Sequence, residues 1–278
     1  MRAATEQVIL VTGATDGLGR AVATELAKRG TTLLLHGRHE TRLAGTVERI
    51  RAETQNDRLH TYRADFSSLD EVGGMAGLIG RDQDRIDVLV NNAGIGTALP
   101  GDGERMESRD GHELRFAVNY LAHFLLTGRL ASLIVSSAPA RIVNVSSAGQ
   151  APIDFDDVML ERAYDGVQAY CQSKLAQVML TFDLAEELRD QRVIVNCLHP
   201  ATYMPTKIVL HARGSAISTL EEGVEATLRL AADAGLDGVT GRYFNGQSEA
   251  RAHPQAYDPD ARRRLRELSE RLAGASGP

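Results

Sequence analysis

The sequence predicts an α/β protein: a single domain in which a parallel seven-stranded sheet carries helices on both faces. Two observations predict it. Short runs rich in Val, Ile and Leu alternate with longer segments whose apolar residues recur at helical spacing. In addition, Ile86 to Val90 is apolar at nearly every position, as a strand covered on both faces should be. No proline-rich or low-complexity linker divides the 278 residues, and one α/β domain can reach that length.

The elements follow in order. Val8 to Thr12 is the first strand, and glycine-rich sequence follows at once. Leu18 to Arg29 reads as a helix with Val22, Ala23 and Leu26 as its apolar stripe, stopped by Gly30. Thr32 to His36 is a strand, Thr41 to Thr54 a polar helix, and Leu59 to Arg63 the third strand. Leu69 to Gly80 is a helix despite Gly73 and Gly74, which are poor helix formers. After the Ile86 to Val90 strand, His112 to Leu130 reads as a long helix. Arg141 to Val145 is a strand, Val167 to Arg189 a helix, and Val193 to Leu198 a strand. Thr219 caps a helix over Glu221 to Ala232, with Glu222 three residues on as in a capping box. Tyr243 and Phe244 mark the last short strand. Residues 1–249 then form the body of the domain. Residues 250–278 are a charged tail with a helical run from Asp260 to Leu272. Right-handed crossovers place the C-terminal strand ends on one rim, where such sheets bind ligands.

Composition excludes several classes. Hydrophobic residues at 43% and charged residues at 24% suit a large core under a soluble surface. The balance of 31 basic against 37 acidic residues disfavours a general nucleic-acid surface. Two cysteines, Cys171 and Cys197, make neither a disulfide scaffold nor a Cys-rich zinc module. No apolar run approaches the roughly 18 residues of a membrane span. Met1 to Gln7 is too short and polar for a signal peptide. The expectation is a cytoplasmic protein without a membrane span. No His-Glu-x-x-His or related cluster occurs, so no metal is expected.

The segment Thr12-Gly13-Ala14-Thr15-Asp16-Gly17-Leu18-Gly19 lies between the first strand and an amphipathic helix. Gly13 can take dihedrals closed to other residues, Gly17 lets backbone approach a phosphate, and Gly19 lets the helix pack closely. The helix N-terminus presents free N–H groups to an anion. This is the pattern of a Rossmann-type dinucleotide site, although a bare tight turn would look similar. The loop lacks the Gly-Lys-Ser/Thr ending of a P-loop. The second strand ends Leu35-His36-Gly37-Arg38-His39, with no acidic residue before Glu40. An acid there would hold the ribose hydroxyls. The Arg38 fork suits a 2′-phosphate instead, which favours NADP(H) over NAD(H). Asp16 argues mildly against a strongly basic pocket. His36 and His39 either frame the same pocket or are neutral and structural. Asp65 could accept from the adenine amino group, and Phe66 could pack beside the base.

Tyr170 and Lys174 are four apart in a helix and share a face. A lysine charge beside a phenol favours the phenolate, and a tyrosine so tuned can exchange a proton with an alkoxide or alcohol. An ordinary surface pair would have the same spacing. Ser146 and Ser147 follow a buried strand onto the ligand rim, and either could hold a carbonyl oxygen or merely satisfy loop backbone. Asn91-Asn92-Ala93-Gly94 follows the fourth strand onto the same rim. Asn119 lies within a helix, where an amide has poor propensity. There it would hold a water or a backbone carbonyl, or face solvent.

Taken jointly, Thr12 to Gly19, Asn91 to Gly94, Asn119, the Ser146-Ser147 strand end and Tyr170 with Lys174 resemble the short-chain dehydrogenase/reductase family over nearly the whole chain. The resemblance implies Tyr170 as general acid/base. It implies Lys174 as the group that lowers the tyrosine pKa and binds the nicotinamide ribose. Ser147 would polarise the carbonyl and Asn119 would complete a water relay. Asn91, Asn92, Ala93, Gly94 and Pro200 would line the cofactor cleft with Gly13, Thr15, Asp16, Gly17, Leu18, Gly19, Arg38, Asp65 and Phe66. Family members are usually dimers or tetramers. The long Ser147 to Tyr170 spacing resembles the retinol-dehydrogenase-like branch, which often prefers NADP(H). The family's Pro-Gly after the sixth strand is Pro200-Ala201 here, and Thr206, with Thr202 as rival, would contact the carboxamide.

The activity implied is hydride transfer between nicotinamide and the carbonyl or alcohol carbon of a small molecule. Substrate contacts are expected from 96–105, 150–165 and 203–214. Ile95, Leu99, Ile153, Phe155, Met159, Met204, Ile208 and Leu210 point to an apolar substrate. Two alternatives share the fold: an epimerase or dehydratase using bound dinucleotide, and a non-catalytic dinucleotide-binding regulator. Cys171 faces away from Tyr170 on its helix and reads as packing.

Overall fold

The computed structural model describes residues 1–97, 104–206, 209–210 and 214–274. Its strands are β1 (Val8–Val11), β2 (Thr32–Gly37), β3 (Leu59–Arg63), β4 (Val88–Asn91), β5 (Ala140–Val145), β6 (Val193–His199), β7 (Arg242–Asn245) and β8 (Ser248–Ala250). Its main helices are α1 (Gly17–Lys28), α2 (Glu40–Thr54), α3 (Leu69–Asp82), α4 (Leu114–Ser136), α5 (Gly166–Glu187), α6 (Leu220–Ala232) and α7 (Pro259–Ala273).

The strands form one sheet in the order β3-β2-β1-β4-β5-β6-β7-β8. The first seven strands are parallel, as expected. An eighth, β8, adds antiparallel to β7 through a tight turn at Gly246, whose φ is +58°. Alternation along the strands divides the core in two. Ile9, Val11, Leu33, Leu35, Val88 and Val90 pack against α1, α2 and α6. Leu10, Leu34, Leu89, Ile142 and Val195 pack against α3, α4, α5 and α7. Strand order reverses between β1 and β4, so the crevice beyond their C-terminal ends is the topological switch point.

Two features differ from the sequence reading. Helix α4 runs on to Ser136 and is long and apolar enough to cross a membrane by length and composition. Of its most apolar window, 67% is buried within this fold, so its apolarity serves the core. The tail is also no appendage. Ala252, Ala256, Ala261 and Leu265 belong to the core cluster under α4 and α5. Gln255 bridges the backbone of Ile153, with Oε1 accepting its N–H at 2.7 Å and Nε2 donating to its carbonyl at 3.1 Å. Thr219 does form the expected capping box with Glu222. Leu99 and Ile208, with parts of the expected loops at 98–103, 207–208 and 211–213, lie outside the described residues.

Candidate active site

The glycine turn is built against the end of β4. Gly13 has φ +67°, and a Cβ there would stand 2.8 Å from the Ala93 Cα. A Cβ on Gly19 would lie 2.4 Å from the Gly13 carbonyl oxygen, so no side chain fits. Thr12 Oγ1 accepts the backbone N–H groups of Asn92 and Ala93 at 2.8 and 2.9 Å. The Asn92 amide donates to the Thr12 carbonyl at 2.9 Å. Asn92 and Ala93 therefore act as the frame of the turn. Thr15 packs its methyl on Gly37 at the end of β2. Asp16 caps α1 by accepting from Gly17 N–H at 2.9 Å. Gly17 faces Thr206, whose Cγ2 is 3.2 Å from the position of a Cβ. The rival Thr202 is engaged with His199 Nε2 at 3.1 Å. Pro200 is buried at the end of β6.

Some expected contacts are internal instead. The Leu18 side chain is buried and faces Gly223 on α6, which leaves only its backbone for the turn. Phe66 is 4% exposed and stacks on His36 at 4.1 Å between ring centroids. Its ring is thus used in the core and is not free to pack beside a base. His36 is structural: Nδ1 accepts from Gly13 N–H at 3.1 Å, so the proton sits on Nε2, which donates to the Ala64 carbonyl at 3.0 Å. Burial pulls this histidine down to about 4. Asn91 does not line the cleft. It is fully buried, donating to Asn144 Oδ1 at 2.8 Å and Thr127 Oγ1 at 3.0 Å.

At the end of β2, Arg38 is exposed between β2 and α2. Arg42, which the sequence reading missed, reaches Asp16 with a 3.0 Å ion pair. Burial pushes Asp65 up. The Ser67 hydrogen bonds and the charges of Arg109 and Arg38 more than offset this, so its carboxyl sits below the usual value.

The other end of the rim lies where β5 meets α5. Ser146 Oγ donates to the Lys174 carbonyl at 2.7 Å, which removes it from the rim. Ser147 is the serine that faces Tyr170: its Oγ and the edge of the Tyr170 ring both flank Gly149, 3.5 and 3.8 Å from where a Cβ would stand. Ser147 Oγ also accepts from Gly149 N–H at 3.0 Å, and Tyr243 donates to the Ser147 carbonyl at 3.2 Å. A Cβ on Gly149 would be tight against Cys171 Sγ, at 3.3 Å, and in ordinary contact with Ser147 Oγ, at 3.5 Å. Burial pushes the Tyr170 hydroxyl above its ordinary value, with the nearby Ser147 hydroxyl opposing it. Burial pulls Lys174 down to about 7. Its Nζ lies 5.8 Å from the Tyr170 ring centroid and donates to the Val145 carbonyl at 3.0 Å.

Asn119 sits in a π-helical turn, Ala117–Leu121, of α4. Such turns frequently mark functional sites. Its side chain accepts from Ile95 N–H at 2.8 Å and donates to the Ile95 carbonyl and Ser173 Oγ at 3.1 and 2.9 Å. A Cβ on Gly94 would sit 3.1 Å from Asn119 Oδ1 and 3.7 Å from Lys174 Nζ. The structure thus gathers Gly94, Asn119, Ser147, Tyr170 and Lys174 on one rim. Together with the glycine cradle, the capped α1 N-terminus and the exposed Arg38, these residues fit a dinucleotide.

Comparison with known proteins agrees with this geometry. The profile of the family described as short chain dehydrogenase matches residues 7–213. Mouse retinol dehydrogenase 13 is 37% identical, over 96% of this chain and 84% of the mouse protein. A crystal structure from Mycobacterium paratuberculosis superposes with a TM-score of 0.79 at 26% identity, covering 98% of this chain and 95% of that one. A short chain dehydrogenase from Escherichia coli CFT073, solved with NADPH, gives 0.71 at 28% identity over 87% and 97%. A family match over most of the chain and a near full-length relative converge with the rim just described: this chain belongs to the short chain dehydrogenase family, in its retinol-dehydrogenase-like branch.

Proposed function

We propose that the protein is an NADP(H)-dependent oxidoreductase acting between the carbonyl and alcohol states of an apolar small molecule, with Tyr170 as general acid/base. The juxtaposition of Ser147 and Tyr170 around Gly149, with Lys174 one helical turn along and its Nζ 5.8 Å from the Tyr170 ring centroid, is the observation that carries this reading. A bound nicotinamide dinucleotide supplies or accepts the hydride. The chain's own residues handle the proton and the oxygen.

Tyr170 holds its proton in the resting protein because burial raises it, which suits donation to an oxygen that gains charge during reduction. Ser147 Oγ, on the same rim, donates to the same oxygen. In the oxidation direction Tyr170 takes the alcohol proton, and a charged Lys174 beside it favours the phenolate. Asn119 fixes the backbone at Ile95 and ties α4 to α5 through Ser173.

The cofactor preference rests on Arg38 just after β2 and Arg42 in the first turn of α2, with no acidic residue among Leu35 to His39. A neighbour crystallised with NADPH supports it. The apolar substrate class is supported by exposed Leu210 and Ile217 and by the retinol in the name of the mouse relative, whereas Phe155 and Met159 pack against the core. We place the protein in the cytoplasm as a homo-oligomer, with α4 serving its own core. Initial rates with retinaldehyde and either NADPH or NADH test the whole reading. Tyr170→Phe should lower kcat by about 10²–10⁴-fold while NADPH still binds. A Tyr170→Phe protein with undiminished kcat would overturn it.

A further inference from the structure

Gln177 lies one turn beyond Lys174 on α5 and is 1% exposed. Its Oε1 accepts from Lys174 Nζ at 2.8 Å, and a second ammonium donor is taken by the Val145 carbonyl. Gln177 is itself held from the far side, its Nε2 lying 3.1 Å from His123 Nδ1 on α4. His123 is fully buried. Its Nδ1 is also 2.9 Å from the Asn119 carbonyl, and its Nε2 is 3.5 Å from Thr12 Oγ1. A line of buried polar contacts thus runs from the ammonium group to the hydroxyl that organises the glycine turn.

We propose that Gln177, backed by His123, is a positioning residue that seats the Lys174 ammonium beside Tyr170 and sets how firmly that lysine keeps its proton. The proposal rests on the reading of Tyr170 and Lys174 as the proton-handling pair. An ammonium offers only donors, so the amide oxygen of Gln177 must face it. That turns the amide NH₂ to His123 Nδ1, the ring nitrogen that also faces the Asn119 carbonyl. Burial and the Lys174 charge keep His123 neutral, holding it at about 3. The titratable groups facing Lys174 are Tyr170 on its own helix and His123 on α4. Burial alone pulls the lysine down, and among the described residues no carboxylate counters it. The Gln177 carbonyl is therefore one of two neutral acceptors stabilising a buried charge, and its removal should make the proton easier to lose.

The sequence makes a direct test practical, because it contains three lysines: Lys28, Lys174 and Lys207. Protein labelled with ¹³Cε-lysine gives three signals, and loss of one in Lys174→Met assigns the buried one. Without cofactor, the Lys174 signal of the native chain should titrate near neutrality. Gln177→Leu should move its midpoint down by about one pH unit or more, and Gln177→Glu should move it up by a similar amount. The near-isosteric Glu variant keeps the test decisive where Leu fails to fold. Unchanged midpoints in the folded variants overturn the proposal. The titration needs neither cofactor nor substrate, so it stands whether or not the proposed reaction does. In turnover, Gln177→Leu should shift the pH profile of alcohol oxidation to higher pH with little change in KM. A profile that keeps its midpoint while kcat falls overturns the positioning role.

Discussion

Asp16 accepts a 3.0 Å ion pair from Arg42 across the mouth of the glycine turn, while its other carboxylate oxygen caps α1. In the sequence alone, Asp16 argued against a basic pocket. In the fold, one arginine of α2 balances its charge, and Arg38 stands exposed on the short connection that leads into that helix.

This arrangement gives the first prediction. A 2′-phosphate would gain charge-assisted hydrogen bonds from Arg38 and Arg42, each of about 1.5–3 kcal/mol. Arg38→Ala and Arg42→Ala should therefore each raise the KM for NADPH by about 10–100-fold and leave the KM for NADH within a few fold. Parallel losses with both cofactors would contradict the assignment.

Lys174 gives the second. A lysine ionises near 10.5 in an unfolded chain and at about 7 in this fold. Between those values the unfolded chain holds the extra proton, so stability grows as pH rises through the window and is lowest below about 7. Lys174→Met removes the buried charge. It should abolish activity yet raise Tm at pH 6 by about 2–4 °C per kcal/mol gained. The gain should shrink as pH rises from 7 towards 10. A scan of Tm against pH for both proteins checks the sign. A gain that is equal at pH 6 and pH 9 would be a packing effect.

What could be read in advance was local. Gly13, Gly17 and Gly19 lie within one turn, and Tyr170 and Lys174 within one helix, so chain spacing already fixes their neighbours. The choice of Ser147 over Ser146 came from a resemblance, and the structure supplies its reason: alternation at the end of β5 turns Ser146 inward to the α5 carbonyl. Arg42, Gln177 and the structural role of His36 needed tertiary contacts between separate elements. Phe66 misled because a ring at a strand end looks the same in sequence whether it turns out or in. The β8 strand was legible in principle, since Asn245-Gly246 between short runs signals a hairpin, but Ser248–Ala250 has little apolar pattern.

His36 gives the third prediction. Burial lowers it from 6.5 to about 4, with the Ala64 carbonyl opposing. Between those values the unfolded chain takes the proton and the native chain does not. Stability is thus lost as pH falls from about 6.5 to about 4. His36→Gln should flatten that acid limb by up to about 1 kcal/mol per pH unit, read from urea midpoints. It should also weaken dinucleotide binding, because Gly13 N–H loses its acceptor.

The last prediction concerns how α7 is fastened. Tyr120 on α4 and Ser269 on α7 have their hydroxyl oxygens 2.7 Å apart, both buried. Ser269 also donates to the Leu265 carbonyl at 2.7 Å, which spends its one hydrogen. Tyr120 must therefore be the donor in the pair. The two deletions are then unequal. Tyr120→Phe leaves Ser269 still bonded to Leu265 and should cost about 1 kcal/mol. Ser269→Ala leaves a buried phenol with no acceptor and should cost about 1–3 kcal/mol. The double variant has no stranded hydroxyl, so it should be no less stable than Ser269→Ala and close to Tyr120→Phe. Leu265→Ala, which empties the apolar seat beside them, should cost about 2–5 kcal/mol. Urea denaturation of the four proteins gives the order. Equal costs for the two single variants would mean that the serine, and not the tyrosine, donates.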